Sequence, residues 1–90
     1  MEYVVLRRVQ ISGKFRPTGK TKHHVYGVEM PTPSSLKIVK YPNDPGFYLF
    51  YCNDKGEEMT DTWHETLQKA FEQANWEFGV VEGDWEKLSD

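Results

Sequence analysis

Apolar residues recur along this chain in two rhythms, one of period two and one helical. Residues 47–52 are an unbroken run of strand-favouring apolar and aromatic side chains. Alternation sets Phe47, Leu49 and Tyr51 on one face and Tyr48, Phe50 and Cys52 on the other. Both faces are apolar, which predicts a central strand covered on each side. Residues 3–11 read as a first strand, with Tyr3, Val5, Val9 and Ile11 on a face interrupted by Arg7, and Val4 and Leu6 on the other beside Arg8 and Gln10. Residues 23–30 read as a second strand, Val25, Gly27 and Glu29 alternating with Tyr26, Val28 and Met30. Residues 36–41 read as a third, with Leu36 and Ile38 opposite Val39 and Tyr41. Proline- and glycine-rich turns at 31–35 and 42–46 punctuate these runs, and Asn53-Asp54-Lys55-Gly56 supplies a tight turn in which Gly56 can take positive φ. A short return strand is expected at 57–60.

The helical rhythm follows. Trp63, Leu67, Ala70, Phe71, Ala74 and Phe78 fall within a sector of roughly 100° at helical spacing, predicting a helix over 63–78. Thr62 and Glu65 have the spacing of a capping box at its start. Gly79 stands where a left-handed residue closes a helix, with Val80 as its hydrophobic contact. Trp63 is expected to pin the helix start in the core. Glu65, Lys69, Glu72 and Trp76 line the back, Glu65 four residues before Lys69 in the favourable order for an ion pair. Val80, Val81, Trp85 and Leu88 mark 80–90 as a tail that packs back, with a helical turn expected at 84–88. The pattern as a whole predicts an α+β fold: one domain over 1–90, an antiparallel meander sheet of four or five strands, and one main helix packed on one face.

The aromatic strand at 47–51, the Asp54-Lys55-Gly56 turn, Thr60-Asp61-Thr62-Trp63-His64 and Glu77-Phe78-Gly79 together resemble a type found in short, uncharacterised bacterial proteins. The resemblance covers residues 46–79. It implies a bacterial source and a small α+β fold, and it carries no activity and no catalytic residues.

Composition narrows the class. Hydrophobic content of 38% with 14% aromatics suffices for one modest core, which argues against wholesale disorder. A single cysteine, Cys52, excludes an intrachain disulfide and a multi-cysteine metal site, in keeping with a cytoplasmic protein. No basic region precedes the short apolar run at the N-terminus, so no signal peptide is expected, and no apolar stretch has the length of a membrane helix. Charge is uneven. Residues 1–22 hold six Lys or Arg against Glu2, giving +5, and residues 23–90 hold five against thirteen Asp or Glu, giving −8.

No pair or triad has catalytic spacing. Cys52 in an aromatic strand reads as an inert core residue. His64 falls in the first helical turn, where the dipole disfavours its charged form, and Asp54 and Asp61 read as turn and cap residues. His23 and His24 point to opposite faces of a strand, so they cannot easily share an ion. Gly19-Lys20-Thr21 lacks the first glycine of a phosphate-binding loop, because Lys14 stands in its place. The expectation is a non-catalytic protein-interaction module without cofactor or metal, either a homodimer or a small inhibitor or immunity-type protein. Its predicted partner-binding residues are Trp76, Glu72, Lys69 and Trp85, because Trp76 lies about 180° from the apolar stripe and tryptophan is enriched at interface hot spots. The alternative is a nucleic-acid binder using the basic loop at 12–22, with Lys14, Arg16, Lys20 and Lys22 around Phe15. The acidic remainder of the chain counts against it.

Overall fold

A computed structural model describes residues 2–11, 24–25, 28–29 and 32–89. The basic loop residues Lys14, Phe15, Arg16, Lys20 and Lys22 lie outside the described residues, as does His23. In chain order the elements are β1 (Val4–Gln10), β2 (His24–Val25), β3 (Val28–Glu29), β4 (Ser35–Lys40), β5 (Phe47–Cys52), β6 (Glu58–His64), α1 (Leu67–Phe78) and β7 (Glu86–Lys87). The fold is α+β: an antiparallel sheet of five strands in the order β6-β5-β4-β1-β7, with α1 packed on one face.

The predicted strand at 23–30 is not one strand. The chain doubles back there, His24 pairing with Glu29 and Val25 with Val28. The pair forms a sheet of its own. The fifth strand of the main sheet comes from the tail instead. A 3-10 turn, Glu82–Asp84, precedes β7, so the helical turn expected at 84–88 is replaced by a short strand against Arg7 and Arg8.

The faces of β4 and β5 follow alternation. Leu36, Ile38, Leu49 and Tyr51 lie under the helix, and Val39, Phe50 and Cys52 lie opposite, flanked by Tyr41 and Tyr48. β1 departs from simple alternation. Its register with β4 shifts between Val5 and Arg7, leaving Leu6 as an extra residue. A bulge of this kind reverses parity: Val5 packs on the open side with Val39 and Phe50, whereas Val9 and Ile11 pack under the helix. The Leu6 carbonyl accepts from Leu88 N at 2.9 Å and from Arg7 Nη1 at 2.9 Å, so the bulge also seats the tail.

The helix starts later than the Thr62–Glu65 spacing predicts. Thr66 is the N-cap: its backbone is extended and its hydroxyl accepts from Lys69 N at 3.1 Å. β6 runs on to His64, because Tyr48 and Phe47 of β5 pair with Trp63 and His64. Strand pairing satisfies two backbones at once and overrides a local capping preference. The C-terminus follows the prediction. Gly79 has φ 75° and its N–H bonds Asn75 O at 2.8 Å, and Val80 is buried. Ala70 and Ala74 are fully buried and let the helix lie close to β5. Trp85 of the tail inserts beneath the helix, its ring 5.6 Å from that of Phe71.

Candidate functional site

The two faces of the sheet carry different polar chemistry. Under the helix, Glu77 is 3% exposed although it is a carboxylate, and Tyr51 is 1% exposed. The Tyr51 hydroxyl donates to Glu77 Oε2 in a short hydrogen bond, and Gln73 Nε2 donates to the same oxygen at 2.9 Å. Tyr51 has one proton and gives it to Glu77, so it accepts from Thr62 Oγ1 at 3.4 Å. Thr62 then accepts from His64 Nε2 at 2.7 Å, which assigns the Nε2–H tautomer to His64. Burial and the Glu77 bond push the Tyr51 phenol far above its ordinary range. Burial lowers the His64 pKa, opposed by the charge of Glu77. This chain of donors ties the last turn of α1 to β5 and β6. Tyr51 and Glu77 at its end are closed to solvent, which makes the chain a clasp for the helix.

On the opposite face, the turn before β5 builds a rigid aromatic corner. Asp44 Oδ1 accepts from Gly46 N at 2.9 Å and from the Trp63 indole Nε1 at 3.1 Å, and Oδ2 accepts from the Tyr48 hydroxyl at 2.8 Å. The bond from Gly46 N, then those from Tyr48 and Trp63, hold the Asp44 carboxyl below the ordinary carboxylate range, so it is ionised. The Trp63 indole lies against the Gly46 backbone, and a Cβ built on Gly46 would clash with its Cε2, Nε1 and Cζ2 atoms. Trp63 is therefore 50% exposed yet held by a hydrogen bond and a backbone seat. The rings of Tyr41 and Tyr48 meet at 87° with centroids 5.3 Å apart, and Tyr3 braces both Tyr41 and Phe50 edge to face. Glu58 and Asp61 stand nearby on β6. Partial desolvation, a hydrogen bond to Asp61 and the charge of Asp61 push the Glu58 carboxyl up to about 7.

Three expectations about residues are corrected here, at Trp63, His64 and Trp85. Trp63 is not in the core at the helix start; it sits half-exposed on an edge strand. His64 is not in a helical turn; it ends β6, and burial rather than a helix dipole lowers its pKa. Cys52 is fully buried, and burial pushes its thiol up. Of the residues predicted to bind a partner, Lys69, Glu72 and Trp76 share the exposed back of α1, and Lys69 pairs with Glu65 at 3.1 Å. Trp85 is not with them, being buried beneath the helix. The tail that carries it packs on the sheet edge and leaves Trp76 43% exposed. The Asp44, Tyr41, Tyr48 and Trp63 constellation was not predicted as a site. Its sequence signal is the Asp44-Pro45-Gly46 turn, in which a carboxylate able to bond the backbone two residues on precedes a glycine.

Among the described residues no group of three His, Cys, Asp or Glu is placed to hold a metal ion, and no helix is long and apolar enough to cross a membrane. The fold and this surface define a small α+β domain with an aromatic, acid-flanked sheet face. Comparisons with family models, with characterised proteins and with solved structures find no match.

Proposed function

We propose that this protein is a non-catalytic protein-interaction module, a bacterial cytoplasmic domain of the inhibitor or immunity type, which meets its partner through the sheet face opposite the helix. One observation carries the reading: Trp63 is half-exposed and fixed at the same time. A large ring held rigid in water loses little conformational entropy on docking, which is the property of an interface anchor. Tyr3, packed edge to face on Tyr41 and Phe50, extends the exposed aromatic surface of the same face. The flanking carboxylates Asp44, Glu58 and Asp61 favour a partner with a basic surface. They also weigh against a second copy of the chain pairing along β6, since like charges would meet across the joint.

The test is affinity capture with wild-type chain and Trp63→Ala as baits, each checked for folding by its thermal transition. The reading predicts that Trp63→Ala folds and loses the captured partner. Equal recovery by both baits would remove this face from the interaction.

A further inference from the structure

The corner formed by Tyr41 and Tyr48 borders an open recess of about 400 Å³ whose described lining is Tyr41, Asn43, Asp44 and Tyr48. We propose that this recess is a binding site for a methylated ammonium ion. Two aromatic rings that meet nearly at right angles line it, and the ionised Asp44 is part of the same lining. A cation within reach of such ring faces is attracted by their quadrupoles, and more strongly in a partly desolvated site.

The walls are built rather than incidental. The Tyr48 ring is fixed by its hydroxyl on Asp44 at 2.8 Å, and Tyr41 is braced by Tyr3 at a centroid distance of 5.5 Å. Preorganised walls lower the cost of binding. Glu58 and Asp61 act on Tyr41, Asp44 and Asp61 act on Tyr48, and Lys40 acts on Asp44 in the opposite sense. Among the described residues, the cation bonded to this turn is Lys40, which is held by backbone carbonyls. Lys40 Nζ donates to the carbonyls of Asp44 and Gly46 at 2.6 and 3.4 Å and lies 4.9 Å from the centre of the Phe47 ring. Lys40 follows Val39 at the end of β4, so alternation sends its side chain to the helix side.

The hydrogen-bond inventory selects the kind of cation. A carboxylate offers about four acceptor positions, and three of those on Asp44 are filled by Gly46, Tyr48 and Trp63. Beyond Asp44, the lining offers the Tyr41 and Tyr48 hydroxyls and the Asn43 amide as acceptors, and its main offer to a cation is charge and ring faces. A methylated ammonium matches the charge and the ring faces and brings few or no donors to satisfy, whereas primary ammonium and guanidinium groups need further acceptors or water.

This site does not depend on the protein-docking reading, and the probes below are added to the isolated chain. The experiment is a titration of the full-length chain, followed by NMR shifts, with tetramethylammonium chloride against sodium chloride at equal ionic strength. Saturable shifts centred on Tyr41, Asn43, Asp44, Tyr48 and the Trp63 indole are expected. Tyr41→Phe should keep them, and Tyr41→Leu should weaken binding about tenfold or more while the chain still folds. Choline and a peptide carrying trimethyllysine form two further arms; tighter binding of one assigns the source as a free small molecule or a modified side chain. No saturable shift at the recess would overturn the proposal. So would an equal response to the neutral isostere 3,3-dimethylbutanol, or unchanged binding in Tyr41→Leu.

Discussion

At the scale of single residues, two threonines decide where the helix begins. Thr62 and Thr66 each precede a polar residue at capping distance, and the sequence offers a capping box only to Thr62, through Glu65. In the fold, the Thr62 hydroxyl is spent on Tyr51 and His64, and the Glu65 carboxylate on Lys69. Thr66→Ala should therefore cost about 1 kcal/mol while Thr66→Asp costs little, read from denaturant midpoints. Thr62→Asp should be worse than Thr62→Ala, because it aims a carboxylate at the Tyr51–Glu77 clasp. The opposite order at position 62 would return the cap to Thr62. Glu77 was legible in principle. It lies seven residues after Ala70 on the apolar stripe, and Tyr51 on the facing strand needs a partner for its hydroxyl. A polar residue on an apolar stripe opposite a buried tyrosine is a pairing signal that periodicity alone passes over.

At the scale of elements, the parts governed by neighbours in sequence were readable and the parts governed by pairing were not. The faces of β4 and β5, the Asn53–Gly56 turn and the Gly79 stop follow from alternation and local backbone chemistry. Asn53 Oδ1 accepts from Lys55 N and Glu57 N at 2.9 and 3.0 Å, and Gly56 takes φ 79°. The length of β6 follows instead from β5, which pairs with it from Cys52 through Phe47. That pairing carries Trp63 out of the helix and onto Gly46. The parity change in β1 rests on a bulge at Leu6 whose carbonyl receives the tail, a contact between residues more than eighty positions apart. Gly46 makes the β5–β6 account testable. Gly46→Ala should lift the indole from its seat, break the bond to Asp44 and increase iodide quenching of Trp63, measured in a Trp76→Phe, Trp85→Phe background. Unchanged quenching would mean that Trp63 is not seated on Gly46.

At the scale of the whole molecule, charge couples the sheet face to stability. The Glu58 carboxyl is raised to about 7 beside Asp61, above its ordinary 4.5. Its stabilising contribution is full below the ordinary value and is lost as pH rises through about 7. Glu58→Gln should accordingly raise the melting temperature at about pH 8 and change it little at about pH 4.5. His64 runs the other way. Its pKa is lowered from 6.5 by burial, so the stability it confers is present above that value and lost as pH falls through the folded-state value. His64→Gln should flatten the acid limb of the stability profile. A profile unaltered by either change would show that neither group titrates differently on folding.

The same scale holds the central claim, that the partner meets the sheet face and not the back of the helix. Three tryptophans report on three places: Trp63 on the sheet face, Trp76 on the back of α1 and Trp85 beneath it. The direct measurement follows their indole N–H resonances in labelled protein as the captured partner is added. The account predicts that the Trp63 resonance shifts or broadens while those of Trp76 and Trp85 stay in place. A response at Trp76 with Trp63 unmoved would contradict it.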